Sequence, residues 1–119
     1  MTVRVETCGA VTVVTIVRPE ARNAVNPAMA SALYDAFLAF ETDGSQRVAI
    51  LTGVPGAFCA GFDLKAAADG MDADWFSRHA IGDDWDNPAS DPRPGPMGPT
   101  RLLLSKPVIA AISGPAVAG

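Results

Sequence analysis

Val48-Ala49-Ile50-Leu51-Thr52-Gly53, followed two residues later by Gly56-Ala57-Phe58-Cys59-Ala60-Gly61-Phe62-Asp63-Leu64-Lys65, is the stretch on which the fold turns. The first part is a short apolar run and reads as a buried strand. The second is rich in Gly and Ala, residues that let another molecule approach the main chain closely. Asp63 then reads as the N-cap of a short helix, expected over Leu64 to Ala68. Unpaired backbone N–H groups at such a turn form a site for negative charge. A tight strand-to-helix connection without a ligand fits the same residues, because a lone Gly motif is weak evidence.

Upstream, Val3-Arg4-Val5-Glu6 alternates as a half-buried strand does, and Gly9-Ala10 turns the chain. Val11 to Val17 is β-branched and predicts the second strand of a hairpin, ended by Arg18-Pro19-Glu20. Asn26 and Pro27 predict a helix start. Met29, Leu33, Phe37 and Phe40 then recur at helical spacing to about Glu41, and Gly44 stops the helix. Strand, helix, strand with short connections is a βαβ unit, so parallel pairing is expected.

Downstream, Asp74 to Ala80 predicts a short helix. Trp75, Phe76 and Trp85 either line an apolar pocket or anchor a polar loop. Residues 87–99 hold five prolines, Pro88, Pro92, Pro94, Pro96 and Pro99, and read as a long surface loop. Thr100 to Ser105 is a short helix candidate. Val108 to Ile112 reads as a central parallel strand covered on both faces. Ser113-Gly114-Pro115 turns, and Ala116 to Gly119 is expected to open a helix.

The 119 residues fit one domain. A net charge of −4 argues against general nucleic-acid binding. No apolar run approaches the ~20 residues of a membrane span. Met1-Thr2-Val3-Arg4 lacks a signal-peptide pattern, so a cytoplasmic protein is expected. Cys8 and Cys59 make no disulfide framework; Cys8 reads as a small apolar filler, and Cys59 sits inside the loop as either a packing residue or a reactive thiol, which would need a histidine base. His79, the sole histidine, lies in an acidic region far in sequence from either thiol. No spacing of Cys, His, Asp or Glu predicts a metal site.

In an open parallel sheet, ligands sit beyond the C-terminal strand ends. The turns at Ala60 and Gly119 both follow predicted strands, so they can face one point. Two backbone N–H groups aimed at one carbonyl oxygen make an oxyanion hole.

Three segments carry a resemblance: Arg18-Pro19-Glu20-Ala21-Arg22-Asn23-Ala24-Val25, Gly56 to Lys65, and Lys106 to Gly119. In order and rough spacing they resemble the enoyl-CoA hydratase/isomerase, or crotonase, family. The resemblance implies an α/β fold of the ClpP/crotonase type, with a parallel core of ββα units. It implies that residues 1–119 are the N-terminal portion of such a domain, truncated relative to the family. It implies an acyl-CoA thioester substrate and no cofactor beyond the CoA that the substrate carries. Ala60 and Gly119 match the two oxyanion donors that hold the thioester oxygen and stabilise the enolate. Ala21, Arg22, Ala24, Ala60, Gly61, Phe62, Asp63 and Leu64 match the loops that clasp CoA. Arg22 and Lys65 have the charge to meet phosphates, and Asp63 reads as a cap rather than an acid or base. In hydratase members one glutamate follows the second oxyanion glycine within a helical turn and another comes later. Neither position falls within this sequence. Isomerase or another family reaction, or acyl-CoA binding without turnover, are the alternatives. A homotrimer or hexamer is implied for the full-length protein, with neither nucleic-acid nor membrane partners.

Overall fold

The computed structural model describes residues 2–119. Strands β1 (Thr2–Cys8), β2 (Val11–Val17), β3 (Val48–Gly53) and β4 (Val108–Ala111) form one sheet in the order β1-β2-β3-β4. The β1–β2 hairpin is antiparallel, turning at Gly9 with φ 59°; β2–β3 and β3–β4 are parallel. Helices α1 (Pro27–Thr42), α2 (Leu64–Gly70) and α3 (Ala73–His79) complete the regular structure.

Helix α1 supplies the core. The Asn26 side chain accepts the Met29 amide at 2.9 Å, and Pro27 occupies the first turn, where its missing N–H has no helical partner to lose. Met29, Leu33, Phe37 and Phe40 are only 2–3 % exposed and pack on Val14, Ile16 and Ala49. Each contributes about 1.5–3 kcal/mol of burial free energy. At the other end, Lys106 donates to the Phe40 and Asp43 carbonyls at 2.8 and 2.7 Å. That puts a cation on the negative end of the helix dipole. Glu41 is tied to Ser105 beside it, accepting the Ser105 amide at 2.9 Å and its hydroxyl. Burial pushes the Glu41 carboxyl up, but the Ser105 hydrogen bonds and the Lys106 charge outweigh it and hold the group below its ordinary range. The Lys106-Pro107 motif therefore fastens the approach to β4 against the end of α1.

Several expectations from the sequence are corrected. The strand β1 is mostly exposed, with Val5 at 50 % and only Val3 packed on the core, because it is an edge strand of the sheet. Cys8 is exposed rather than a filler, since it ends that same edge strand. Thr100 to Ser105 is not a helix; a single 3₁₀ turn covers Pro99–Arg101. Leu102 and Leu104 then point toward the core while Leu103 stays 62 % exposed, the alternation of an extended chain. The strand β4 lies at the sheet edge rather than in its middle, and its four residues are all exposed. No helix begins at Ala116; the segment is extended, and its backbone pairs elsewhere.

Candidate functional site

The three segments singled out in the sequence meet as a backbone weave, with the second in the middle. On one side, Val25 and Phe62 form a parallel bridge. The Val25 amide donates to the Gly61 carbonyl at 2.8 Å, and the Asp63 amide to the Val25 carbonyl at 2.8 Å. On the other side, Cys59 and Ala116 form a parallel bridge. The Phe58 and Cys59 amides donate to the Pro115 carbonyl at 2.9 and 3.2 Å, and the Val117 amide to the Cys59 carbonyl at 3.1 Å. The Phe62 amide donates to the Ala118 carbonyl at 3.2 Å. Residues 115–117 run alongside the second segment because these bonds require it, and Ala118 then turns with φ 53°.

Two loops of the first segment are fixed by left-handed residues. Arg22 and Asn23 have φ of 52° and 59°. Asn tolerates that region because its short side chain bonds locally. Asn23 is fully buried. Its carbonyl accepts the Arg18 amide at 2.9 Å, and its amide donates to the Val54 and Ala57 carbonyls at 3.1 and 2.8 Å. One side chain thus joins the loop after β2 to the loop after β3. Sequence reasoning placed Asn23 in the first segment without singling it out. An Asn in a turn between apolar runs is the signal that was available.

Arg18 was missed in the same way. It ion-pairs with Asp63 at 2.6 Å, the two side chains being 16 % and 12 % exposed, and donates to the Ala24 carbonyl at 3.1 Å. Asp63 also caps α2, accepting the Lys65 and Ala66 amides at 2.9 and 3.2 Å. The Arg18 hydrogen bond and these amides hold its carboxyl below the ordinary Asp range. Asp63 is therefore a cap and a strut. A group with a depressed native pKa stabilises the fold above its unfolded pKa and loses that effect as pH falls through the native value. Comparing urea midpoints of the protein and Asp63→Asn, we expect the gap between them to be full at neutral pH. It should shrink steadily below about pH 4, the unfolded Asp range. A gap that does not change with pH would mean that the ion pair adds nothing.

The sequence assigns the two donor amides to Ala60 and Gly119. The Ala60 amide donates to the Arg22 carbonyl at 3.0 Å and so points into the first segment, away from the turn at Gly119. The amide that faces that turn is Phe62's. Gly61 and Gly119 are packed against each other, a Cβ built on Gly119 falling 3.4 Å from the Gly61 Cα. The Gly119 amide has no hydrogen-bond partner among the described residues.

Beyond Phe62 opens a cleft of about 590 Å³, lined by Phe62, Met71, Trp75, Phe76 and Pro96 with His79 and Arg101. Trp75 is 6 % exposed and packs edge-on to Phe62 and Phe76, with ring centroids 6.0 and 5.1 Å away. The aromatics thus both anchor the loop and wall a cavity. Arg22 and Lys65 are exposed and form no ion pair among the described residues, and Leu64 is 82 % exposed at the start of α2. Among the described residues no three His, Cys, Asp or Glu side chains gather to hold a metal, and no helix is long and apolar enough to cross a membrane.

A family model for enoyl-CoA hydratase/isomerase matches residues 6–94. The chain belongs to that family. Its segment of the fold is that of the crotonase-type enoyl-CoA hydratases. The crystal structure of enoyl-CoA hydratase EchA1 from Mycobacterium marinum superposes with a TM-score of 0.73 at 38 % identity, over 94 % of this chain and 38 % of that one. The enoyl-CoA hydratase EchA19 of Mycobacterium tuberculosis is 38 % identical over 97 % of this chain and 40 % of its own length. The carnitinyl-CoA dehydratase of Proteus mirabilis is 40 % identical over 95 % and 38 %. The chain spans about two-fifths of the length of these relatives.

Proposed function

We propose that the chain forms the CoA-thioester-binding part of an enoyl-CoA hydratase-like enzyme, with the thioester oxygen held between the amides of Phe62 and Gly119. The observation that carries this reading is the weave itself. Phe62 brings an amide to the Gly119 turn, while its ring opens the apolar cleft where an acyl chain would lie. The Phe62 amide is taken by the Ala118 carbonyl, and Ala118 is held at φ 53°, a conformation that costs an L-residue about 1–2 kcal/mol. A thioester carbonyl accepting the Phe62 amide would let Ala118 relax. Two amides fixed before reaction stabilise charge as it builds on the oxygen of an enolate.

CoA would then run along the exposed rim of the weave. The main chain of Ala21, Ala24, Ala60, Gly61 and Asp63 lines that rim. Arg22 and Lys65 lie at hand for phosphates, and Leu64 offers apolar surface for the nucleotide or pantetheine. Water addition to an enoyl thioester, or its reversal, is the reaction that relatives named hydratase and dehydratase favour. The oxyanion arrangement would equally serve an isomerase, since the acid and base residues decide between them.

The test is calorimetry with butyryl-CoA and with its thioether analogue, which keeps every atom of the chain except the carbonyl oxygen. The thioester should bind at least about tenfold more tightly, the worth of ~1.4 kcal/mol from two amide donors. Equal affinities, or no binding of either, would remove the support for this site.

A further inference from the structure

We propose that His79 is a specificity-determining residue that selects acyl groups carrying a hydroxyl, which donates to its Nε2 inside the cleft. The inference rests on the acyl-CoA reading above and names the substrate class it leaves open. His79 and Arg101 are the polar side chains in a lining that is otherwise apolar. His79 Nδ1 lies 2.8 Å from the Trp75 carbonyl oxygen. A carbonyl only accepts, so Nδ1 carries the proton, and in the neutral ring Nε2 is the acceptor. Nε2 has no partner among the described residues. The imidazole is stacked on the Trp75 indole at 4.3 Å and 28°, which fixes the ring plane from a second side.

Arg101 fixes the backbone. Its Nη1 donates to the His79 carbonyl at 2.7 Å and to the Pro94 carbonyl at 3.3 Å. The proline-rich loop, the end of α3 and the cleft wall are thereby one unit. A guanidinium has no acceptor to offer, and its charge opposes a cationic acyl tail in the same cavity. A cleft wall that is otherwise apolar discriminates through its one free side-chain acceptor: an acyl hydroxyl pairs with Nε2, and an unsubstituted chain leaves it unpaired. The distance from the Phe62 amide to the cleft sets where on the chain that hydroxyl must sit.

The experiment compares ω-hydroxyacyl-CoA thioesters with unsubstituted ones of the same length, from four to eight carbons, by calorimetry. At one length the hydroxylated thioester should bind about tenfold more tightly. His79→Phe, which keeps a ring on Trp75, should erase that preference; His79→Gln, which restores an acceptor, should recover part of it. No preference at any length, or one that survives in His79→Phe, overturns the proposal. So does a stronger preference for an ω-carboxyl chain, which would make Arg101 the selecting residue. If unsubstituted thioesters bind and only the preference is missing, this inference fails alone. If no thioester binds, the acyl-CoA reading fails with it.

Discussion

Asn23→Ala is expected to destabilise the protein by about 4 kcal/mol in urea unfolding. Three backbone groups would lose their partner at once: the buried Ala57 carbonyl and the partly buried Arg18 N–H and Val54 carbonyl. Each stranded group costs roughly 1–3 kcal/mol, softened where water enters the space left behind. The position also has φ 59°, where alanine is strained and asparagine tolerated. That loss is a large share of the ~5–15 kcal/mol that holds a domain together. Asn23→Asp is the useful partner variant. It keeps the acceptor for Arg18 but turns two donated bonds into carboxylate facing carbonyl, so it should be at least as damaging. If either variant unfolds within about 0.5 kcal/mol of the parent, the two loops are held by the backbone weave alone.

Gly61→Ala should cost acyl-CoA affinity more than stability, by at least about a hundredfold, or ~2.7 kcal/mol. Gly61 has φ +92°, and a Cβ there would collide with the Ala118 carbonyl oxygen and lie 2.6 Å from its carbon. The third segment must then move away from the second, taking Gly119 with it, and the two amides no longer meet. Gly56→Ala separates strain from collision. Its φ is +115°, but nothing lies within 4 Å of the added Cβ. It should lower stability by a similar backbone penalty and leave thioester affinity nearly untouched. Equal losses of affinity in the two variants would show that the contact between Gly61 and Ala118 is irrelevant to binding.

The two variants mark how far the residues could be read in one dimension. The helix α1 was legible throughout: Asn26-Pro27 starts it, and a stripe at helical spacing names the four residues that became its core. The hairpin and β3 were legible for the same reason, a β-branched or apolar run bounded by Gly and Pro. The failures share a cause. Cys8, Val5 and β4 were assigned burial from their own composition, but burial depends on what lies across the sheet. In the structure β1 and β4 are the two edge strands, and their side chains stay mostly exposed. Thr100 to Ser105 looked helical by composition, yet Leu102 and Leu104 reach the core only if the chain is extended.

At the candidate site the division is sharper. The segments and their order were present in the sequence, and with them the family. Which amide of the second segment faces the third was not, because Ala60 and Phe62 differ only in which neighbour takes their N–H. In extended backbone those two amides point the same way, and the left-handed Gly61 between them, φ +92°, turns them apart. Arg18, Asn23 and His79 were likewise invisible as a set: they act through partners from 4 to 45 residues away. Local residue chemistry therefore determined the elements and the identity of the loops. Hydrogen-bond partnership between distant loops, which no local preference encodes, decided which atoms are left to meet a substrate.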